Sequence, residues 1–234
     1  MIFLRSVIFN IAFYGWTAVM CFLMLWAFLL PKRYFPRVAR LWLAQTAWIE
    51  RVIGGMSYRV IGSEHVPQGA CIIAAKHQSA WETMKLPLLF DDPAIVLKKE
   101  LLAIPIWGRY LRHAGMIPID RGSGSAALAA MMQAAHKAAE AGRKIVIFPQ
   151  GTRVAPGAER PYKGGVAALY RELNIPVVPM ALNSGLLWPR NSFIKKPGLI
   201  TIEFLPPILP GLSREEMLTK LKTELEGASK RLAQ

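Results

Sequence analysis

Residues 6–30, SVIFNIAFYGWTAVMCFLMLWAFLL, carry no charged side chain and a single strongly polar one, Asn10. As a helix rising 1.5 Å per residue, such a run exceeds a hydrocarbon core of about 30 Å. A buried helix of a soluble core is rarely apolar on every face over this length. A signal peptide would have a shorter apolar stretch followed by a small-residue cleavage site. This run instead ends at Pro31-Lys32-Arg33, with Arg37 and Arg40 close behind. By the positive-inside tendency, those cations keep the rest of the chain on the cytoplasmic side. A second helix is expected over 36–54, with Leu41, Trp42, Trp48, Ile49 and Val52 on one side and Arg40, Gln45, Glu50 and Arg51 elsewhere. Tryptophan beside arginine suits a headgroup interface. Residues 1–55 are therefore expected to be a two-helix membrane anchor, closed by Gly54-Gly55, followed by one globular domain over 56–234. The anchor could span the bilayer once. It could also lie half-submerged in the cytoplasmic leaflet, which Arg5 favours because a span would have to translocate it.

Beyond residue 55 the pattern alternates. Apolar runs at 58–61, 70–76, 94–97, 116–119, 144–148, 177–182 and 199–205 read as strands. Helices are expected near 81–90, 100–113, 124–141, 164–173 and 214–232. Several of these strands are continuously apolar, so both sheet faces must be covered. The expected fold class is α/β, a mostly parallel sheet flanked by helices. The formal net charge of +14 is spread along the chain rather than held in a tail. A surface of this kind attracts anionic lipid headgroups and phosphorylated substrates. No zinc spacing, RNA-binding signature or bare basic helix points to nucleic acid. Two cysteines, Cys21 and Cys71, both in apolar segments, suggest neither a disulfide framework nor a metal site.

Chemistry concentrates at two strand ends. In Lys76-His77-Gln78-Ser79-Ala80-Trp81-Glu82, five helical steps would set His77 and Glu82 roughly 140° apart. A strand–turn–helix would bring them together, so that Glu82 fixes the imidazole tautomer and leaves the other nitrogen free to accept a proton. The spacing alone equally allows a capping or core-edge histidine. The second strand end, Phe148-Pro149-Gln150-Gly151-Thr152-Arg153, offers a glycine for close backbone approach, a hydroxyl and a planar cationic fork matched to phosphate. An ordinary turn could have the same composition.

Together these blocks resemble the signature of the glycerolipid acyltransferase family, the bacterial 1-acyl-glycerol-3-phosphate acyltransferases in particular. Its His-x4-Asp and Phe-Pro-Glu-Gly-Thr-Arg blocks align with 77–82 and 148–153. Lys98-Lys99-Glu100-Leu101 with Pro105 and Gly108, Ile119-Asp120-Arg121, and Ile175-Pro176-Val177-Val178-Pro179 resemble further blocks in the same order. The resemblance implies direct transfer of a fatty acyl chain from acyl-CoA or acyl-carrier protein to a lysophospholipid hydroxyl, with neither metal nor cofactor. It implies His77 as general base and Glu82 as its orienting acid. Gly151, Thr152 and Arg153 would hold the acceptor's phosphate, and Arg121 with Lys98 or Lys99 would line the same pocket. It also implies the inner membrane as the site of action, with the catalytic domain facing the cytoplasm. Two positions depart from the pattern: Glu82 stands where Asp is usual, and Gln150 where Glu is usual. The first requires the turn to absorb one methylene, and the second removes a negative charge. A different lyso-lipid acceptor, such as a lyso-ornithine lipid, or a non-catalytic lipid-binding role on the same fold, remains open at this level. His65, His113 and His136 lack neighbouring ligand residues, and Trp107 and Trp188 read as packing or interface residues.

Overall fold

The computed structural model describes residues 1–120 and 124–234. Helix α1 (Ile2–Leu23) runs into a short 3-10 turn at Leu25–Leu29, and Pro31 ends the segment. The apolar run is therefore a helix with a tightened last turn. Among the described residues one stretch, Ile2–Leu29, is long and apolar enough to cross a membrane, with hydropathy 1.8. Helix α2 (Phe35–Val52) begins with Pro36 in its first turn, where a missing N–H costs nothing.

Seven strands follow, β1 (Met56–Ile61), β2 (Ile72–Ala75), β3 (Ala94–Lys98), β4 (Ile117–Ile119), β5 (Ile145–Ile147), β6 (Val177–Leu182) and β7 (Gly198–Phe204). They form one sheet in the order β1-β7-β6-β2-β5-β3-β4. All neighbours pair in parallel except β6 with β7, where Met180 faces Phe204. Helices α3 (Trp81–Leu89), α4 (Trp107–His113), α5 (Gly124–Glu140), α6 (Gly165–Leu173), α7 (Ser184–Leu187) and α8 (Arg214–Leu232) cover it.

Burial follows strand alternation. Ile72, Ala74, Ile145, Ile147, Val177 and Ala181 face a core closed by α5, α6 and α8. Cys71, Ile73, Ala75, Val146, Val178, Met180 and Leu182 face a second core to which α1 contributes Phe9 and Phe13, and α2 contributes Ile49. Central strands buried on both sides explain the unbroken apolar runs in the sequence.

One expected helix, 100–113, is broken. Lys99–Ala103 forms a 3-10 turn, Ile104 is extended, Pro105 and Ile106 form a turn with Ile106 at φ 60°, and α4 starts only at Trp107. Pro105 disfavours helical backbone at the residue before it, which accounts for the interruption. Gly108, just inside α4, lies against the Leu102 backbone so closely that a Cβ would fall 2.1 Å from its carbonyl oxygen. The short α7 has no apolar periodicity long enough to reveal it in the sequence.

The N-terminal helices are docked as well as apolar. Ser6 Oγ accepts from the Lys195 N–H at 3.0 Å, and Asn10 Nδ2 donates to the Phe193 carbonyl at 3.0 Å. Phe9 and Phe13 meet the edge of Trp188 at 5.3 and 5.2 Å. Elsewhere α1 and α2 leave Leu4, Ile11, Phe22, Leu41 and Trp48 exposed. Exposed apolar side chains in this number on two neighbouring helices mark contact with lipid or protein.

Candidate active site

The chain leaves β2 at Ala75 in extended form, turns through 76–80 and starts α3 at Trp81. That turn returns Glu82 to His77. The Glu82 Oε1 lies 2.8 Å from the His77 Nδ1 and also accepts the backbone N–H groups of Gln78 and Ser79, both at 2.7 Å. Its Oε2 accepts from Ser184 Oγ at 2.7 Å. The carboxylate is fully buried, and His77 keeps 17% of its side chain exposed. A carboxylate facing a ring nitrogen calls for the proton on that nitrogen, so Nδ1–H donates and Nε2 is left to the cavity that His77 lines. Four donors hold the glutamate, and its additional methylene is taken up within the turn.

The second strand end lies against the first. The Val154 N–H donates to the His77 carbonyl at 2.7 Å, and the His77 ring stacks on Phe148 with centroids 4.1 Å apart. Gly151 takes φ +68°, a conformation that favours glycine and that lets its N–H turn back to the Phe148 carbonyl at 2.9 Å. Gly151, Thr152 and Arg153 all line the His77 cavity, as does Lys98 at the end of β3. Lys99 does not line it directly: it opens the 3-10 turn after β3, and its exposed ammonium pairs at 3.2 Å with Asp120, which does line the cavity. Arg121 lies outside the described residues.

The cavity has a volume of about 1090 Å³. Met20, Met24, Trp42, Leu43 and Trp107 form an apolar stretch beneath the N-terminal helices. Lys163, Arg171, Arg190 and Arg214 join Arg153 at its polar parts. Among the described residues no group of three His, Cys, Asp or Glu side chains comes together that could hold a metal ion.

A family model described as Acyltransferase matches residues 57–183, and both catalytic-type blocks fall within that range. The 1-acyl-sn-glycerol-3-phosphate acyltransferase of Pseudomonas aeruginosa is 36% identical over 179 residues, covering 76% of this chain and 70% of that one. The chain belongs to the acyltransferase family. The enzyme of the same name from Limnanthes douglasii is 33% identical over 158 residues, covering 67% of this acyltransferase and 56% of the plant protein. The matched part thus spans little more than half of the plant relative. The crystal structure of the 1-acyl-sn-glycerophosphate acyltransferase PlsC from Thermotoga maritima superposes with a TM-score of 0.76 at 20% identity over 99% of both chains. The fold is shared through the N-terminal helices as well as the sheet.

Behind the acyltransferase's His77 loop lies a buried polar network. Lys76 projects to the α8 side, where its ammonium meets both Glu226 oxygens at 2.8 and 2.9 Å. Tyr162 donates to Glu226 Oε1 at 2.9 Å, and Gln150 Nε2 approaches the same oxygen at 3.5 Å. Burial, with the Glu226 charge beside it, pushes the Tyr162 phenol well above its ordinary range. Glu226 therefore ties the loops following β2 and β5 to each other. A second buried pair, Lys85 with Glu50 at 2.6 Å, connects α3 to α2, and Trp81 Nε1 donates to the same Glu50 oxygen at 2.8 Å. Burial pushes the Glu50 carboxyl up and the Lys85 ammonium down, each opposed by the partner's charge.

Sequence reasoning missed Ser184, Glu226 and Arg190. Arg190 donates to the Arg153 carbonyl at 3.2 Å and lies 3.5 Å from Thr152 Oγ1, so it braces the Gly151–Arg153 loop. Each is remote in sequence from the two blocks, and no local pattern marks them. The remaining histidines have bland surroundings. His65 Nδ1 contacts the Phe204 carbonyl at 2.9 Å, and His136 pairs with Glu172 at 3.3 Å. His113 lies edge-on to Phe28 and Phe35, and burial lowers its pKa. Trp188 packs on α1, whereas Trp107 lines the cavity and meets Trp42 at 5.5 Å.

Proposed function

We propose that this acyltransferase moves a fatty acyl chain from acyl-CoA or acyl-carrier protein to the sn-2 hydroxyl of 1-acyl-glycerol-3-phosphate, yielding phosphatidic acid for phospholipid synthesis. The observation that carries the reading is the His77–Glu82 pair, which opens into a cavity that is apolar toward the N-terminal helices and cationic around Arg153. His77 Nε2 removes the acceptor's hydroxyl proton as that oxygen attacks the thioester carbonyl. The tetrahedral intermediate then collapses, the carbon–sulfur bond breaks, and the imidazolium returns the proton to the departing thiolate. Glu82 acts as a positioning and charge-stabilising partner throughout. Arg153, with Thr152, Gly151 and Lys98, holds the acceptor's phosphate. The assay is acyl transfer by purified enzyme with labelled acyl thioesters and a panel of lyso-lipids. Turnover confined to another headgroup, such as lyso-ornithine, would replace the acceptor. Activity of His77→Ala above about a tenth of wild type would refute the base, given the 10²–10⁴-fold expected of one.

Residues 1–55 serve as the anchor and 56–234 as the catalytic domain. Attachment is monotopic, on the cytoplasmic leaflet of the inner membrane. Ser6 and Asn10 bond to Lys195 and Phe193, and these contacts support the reading because a span beginning at Ile2 would carry that end of α1 across the bilayer, away from its partners. The lipid acceptor keeps its chain in the leaflet and its phosphate at the surface, so the His77 cavity opens at headgroup depth. Labelling of a cysteine introduced at residue 3 by an impermeant reagent from outside intact cells would rule out this arrangement.

A further inference from the structure

The His77 cavity is lined from both faces of the sheet. On one face lies the apolar stretch of Met20, Met24, Leu43 and Trp107 beneath the N-terminal helices. On the other lies a stretch between α5 and α6 lined by Ala127, Leu128, Ala167 and Ala168. Only the first adjoins the surface read above as membrane-facing. The second is bordered by Lys163, Arg171 and Arg214, all exposed, and none of the three is in an ion pair among the described residues. Arg214, the first residue of α8, reaches across α8 to α6, since a Cβ on Gly164 would fall 2.9 Å from its guanidinium. Two elements distant in sequence thus bring their cations to one border of the cavity.

We propose that Lys163, Arg171 and Arg214 form a site for the phosphates of a nucleotide thioester donor of the coenzyme A type, with the pantetheine arm lying along the α5–α6 stretch toward His77. The inference rests on the acyl-transfer reading above. Two substrates must meet at one histidine, and their chains come from different phases. The acceptor's chain comes from the leaflet, so it takes the stretch beneath α1 and α2. The donor arrives from water, so it takes the other. The small side chains of Ala127, Ala167 and Ala168 leave width for a pantetheine arm. Three unpaired cations also exceed what the single phosphodiester of a carrier-protein arm can use. The 3′-phosphate and diphosphate of a coenzyme A nucleotide bring about four negative charges at neutral pH. Arg153 and Arg190 are not part of this set, because Arg190 is engaged with Thr152 and the Arg153 carbonyl.

The test uses the full-length enzyme in detergent with Arg171→Gln, Arg214→Gln and the pair. Adenosine 3′,5′-bisphosphate, which lacks the acyl arm, is the probe, read by calorimetry and as an inhibitor. The expected result is competition with acyl-CoA in the wild type. In the double variant, nucleotide affinity should fall at least about ten-fold, as loss of charge-assisted bonds predicts, with a matching rise in KM for acyl-CoA. KM for the lyso-lipid should move less than about two-fold, because Arg153 is untouched. A rise confined to the lyso-lipid, nucleotide affinity that does not change, or a loss seen with acyl-carrier protein and not with acyl-CoA would overturn the proposal. Nucleotide binding in an enzyme that acylates no lyso-lipid would refute the acceptor reading and leave this site standing.

Discussion

Gln150→Glu is a one-atom exchange that restores the residue usual in the family's second block, and the structure says it is harmful here. The Gln150 side chain is 2% exposed, and its Nε2 lies 3.5 Å from a Glu226 oxygen that already serves Lys76 and Tyr162. A second carboxylate at that distance repels the first by about 5 kcal/mol at an effective dielectric near 20. The molecule can escape by binding a proton. Taking an ordinary carboxyl from its reference value near 4.3 to the protonated form at pH 7 costs about 3.7 kcal/mol, which caps the penalty. The expected loss of unfolding free energy is therefore about 3 kcal/mol, a large part of the 5–15 kcal/mol typical of a folded domain. Glu226→Gln alone strands Lys76, which is 3% exposed, and should cost about 3–5 kcal/mol. Combined, the two changes exchange the carboxylate and the amide across the 3.5 Å contact, so the repulsion is gone and the buried network keeps one negative charge. The double variant should recover to within about 1 kcal/mol of wild type, a coupling far outside the few tenths seen for independent sites. Urea unfolding of the four proteins in detergent measures this. Additive losses, or a neutral Gln150→Glu, would refute the account.

Three further outcomes follow from the dyad and its surroundings. Glu82→Gln should be severely impaired while Glu82→Asp keeps substantial activity, because the amide keeps an acceptor oxygen for His77 and the backbone but carries no charge to balance the imidazolium; equal behaviour in kcat would exclude the orienting-carboxylate role. Arg153→Ala should raise KM for the phosphorylated acceptor by about ten-fold or more and leave the donor KM nearly unchanged, and a rise confined to the donor would reassign it. Ser184→Ala removes one of four donors to Glu82 and should cost about 1 kcal/mol in stability with a fall of a few-fold in kcat, and an unaltered kcat would limit Ser184 to packing.

The sheet and its order of helices were legible because central strands buried on both faces must be apolar throughout, and segments such as 72–75 and 177–182 are. The break at Pro105 was legible in principle, since proline constrains the residue before it, yet the apolar spacing across 100–113 masks it. The meeting of His77 with Glu82 follows from a turn whose existence the sequence implies only through spacing. What closes around them does not follow from spacing. Ser184 arrives from the start of α7, Arg190 from the loop beyond α7 and Glu226 from the last helix, and each is fixed by the sheet order rather than by neighbours in the chain. Long-range pairing of this kind leaves no periodicity to read.

The N-terminal helices and the His77–Glu82 pair are mechanically one assembly. Helix α3 carries Glu82, and its neighbours Trp81 and Lys85 both bond to Glu50 of α2 inside the protein. Helix α2 is also the element that leaves Trp48 and Leu41 exposed. A charged pair buried at this junction adds little net stability over apolar packing, but breaking it is costly, so its geometry is strongly enforced. Under the anchoring proposed above, a tilt of α2 would thus be transmitted to the first turn of α3, where a carboxylate is held by four donors within 2.8 Å. Under the monotopic attachment proposed above, the depth of residues 1–55 in the leaflet would set the height of the His77 cavity above the acyl chains. That height is what a site must fix in order to meet a hydroxyl on the glycerol carbon next to the one that bears the acyl ester.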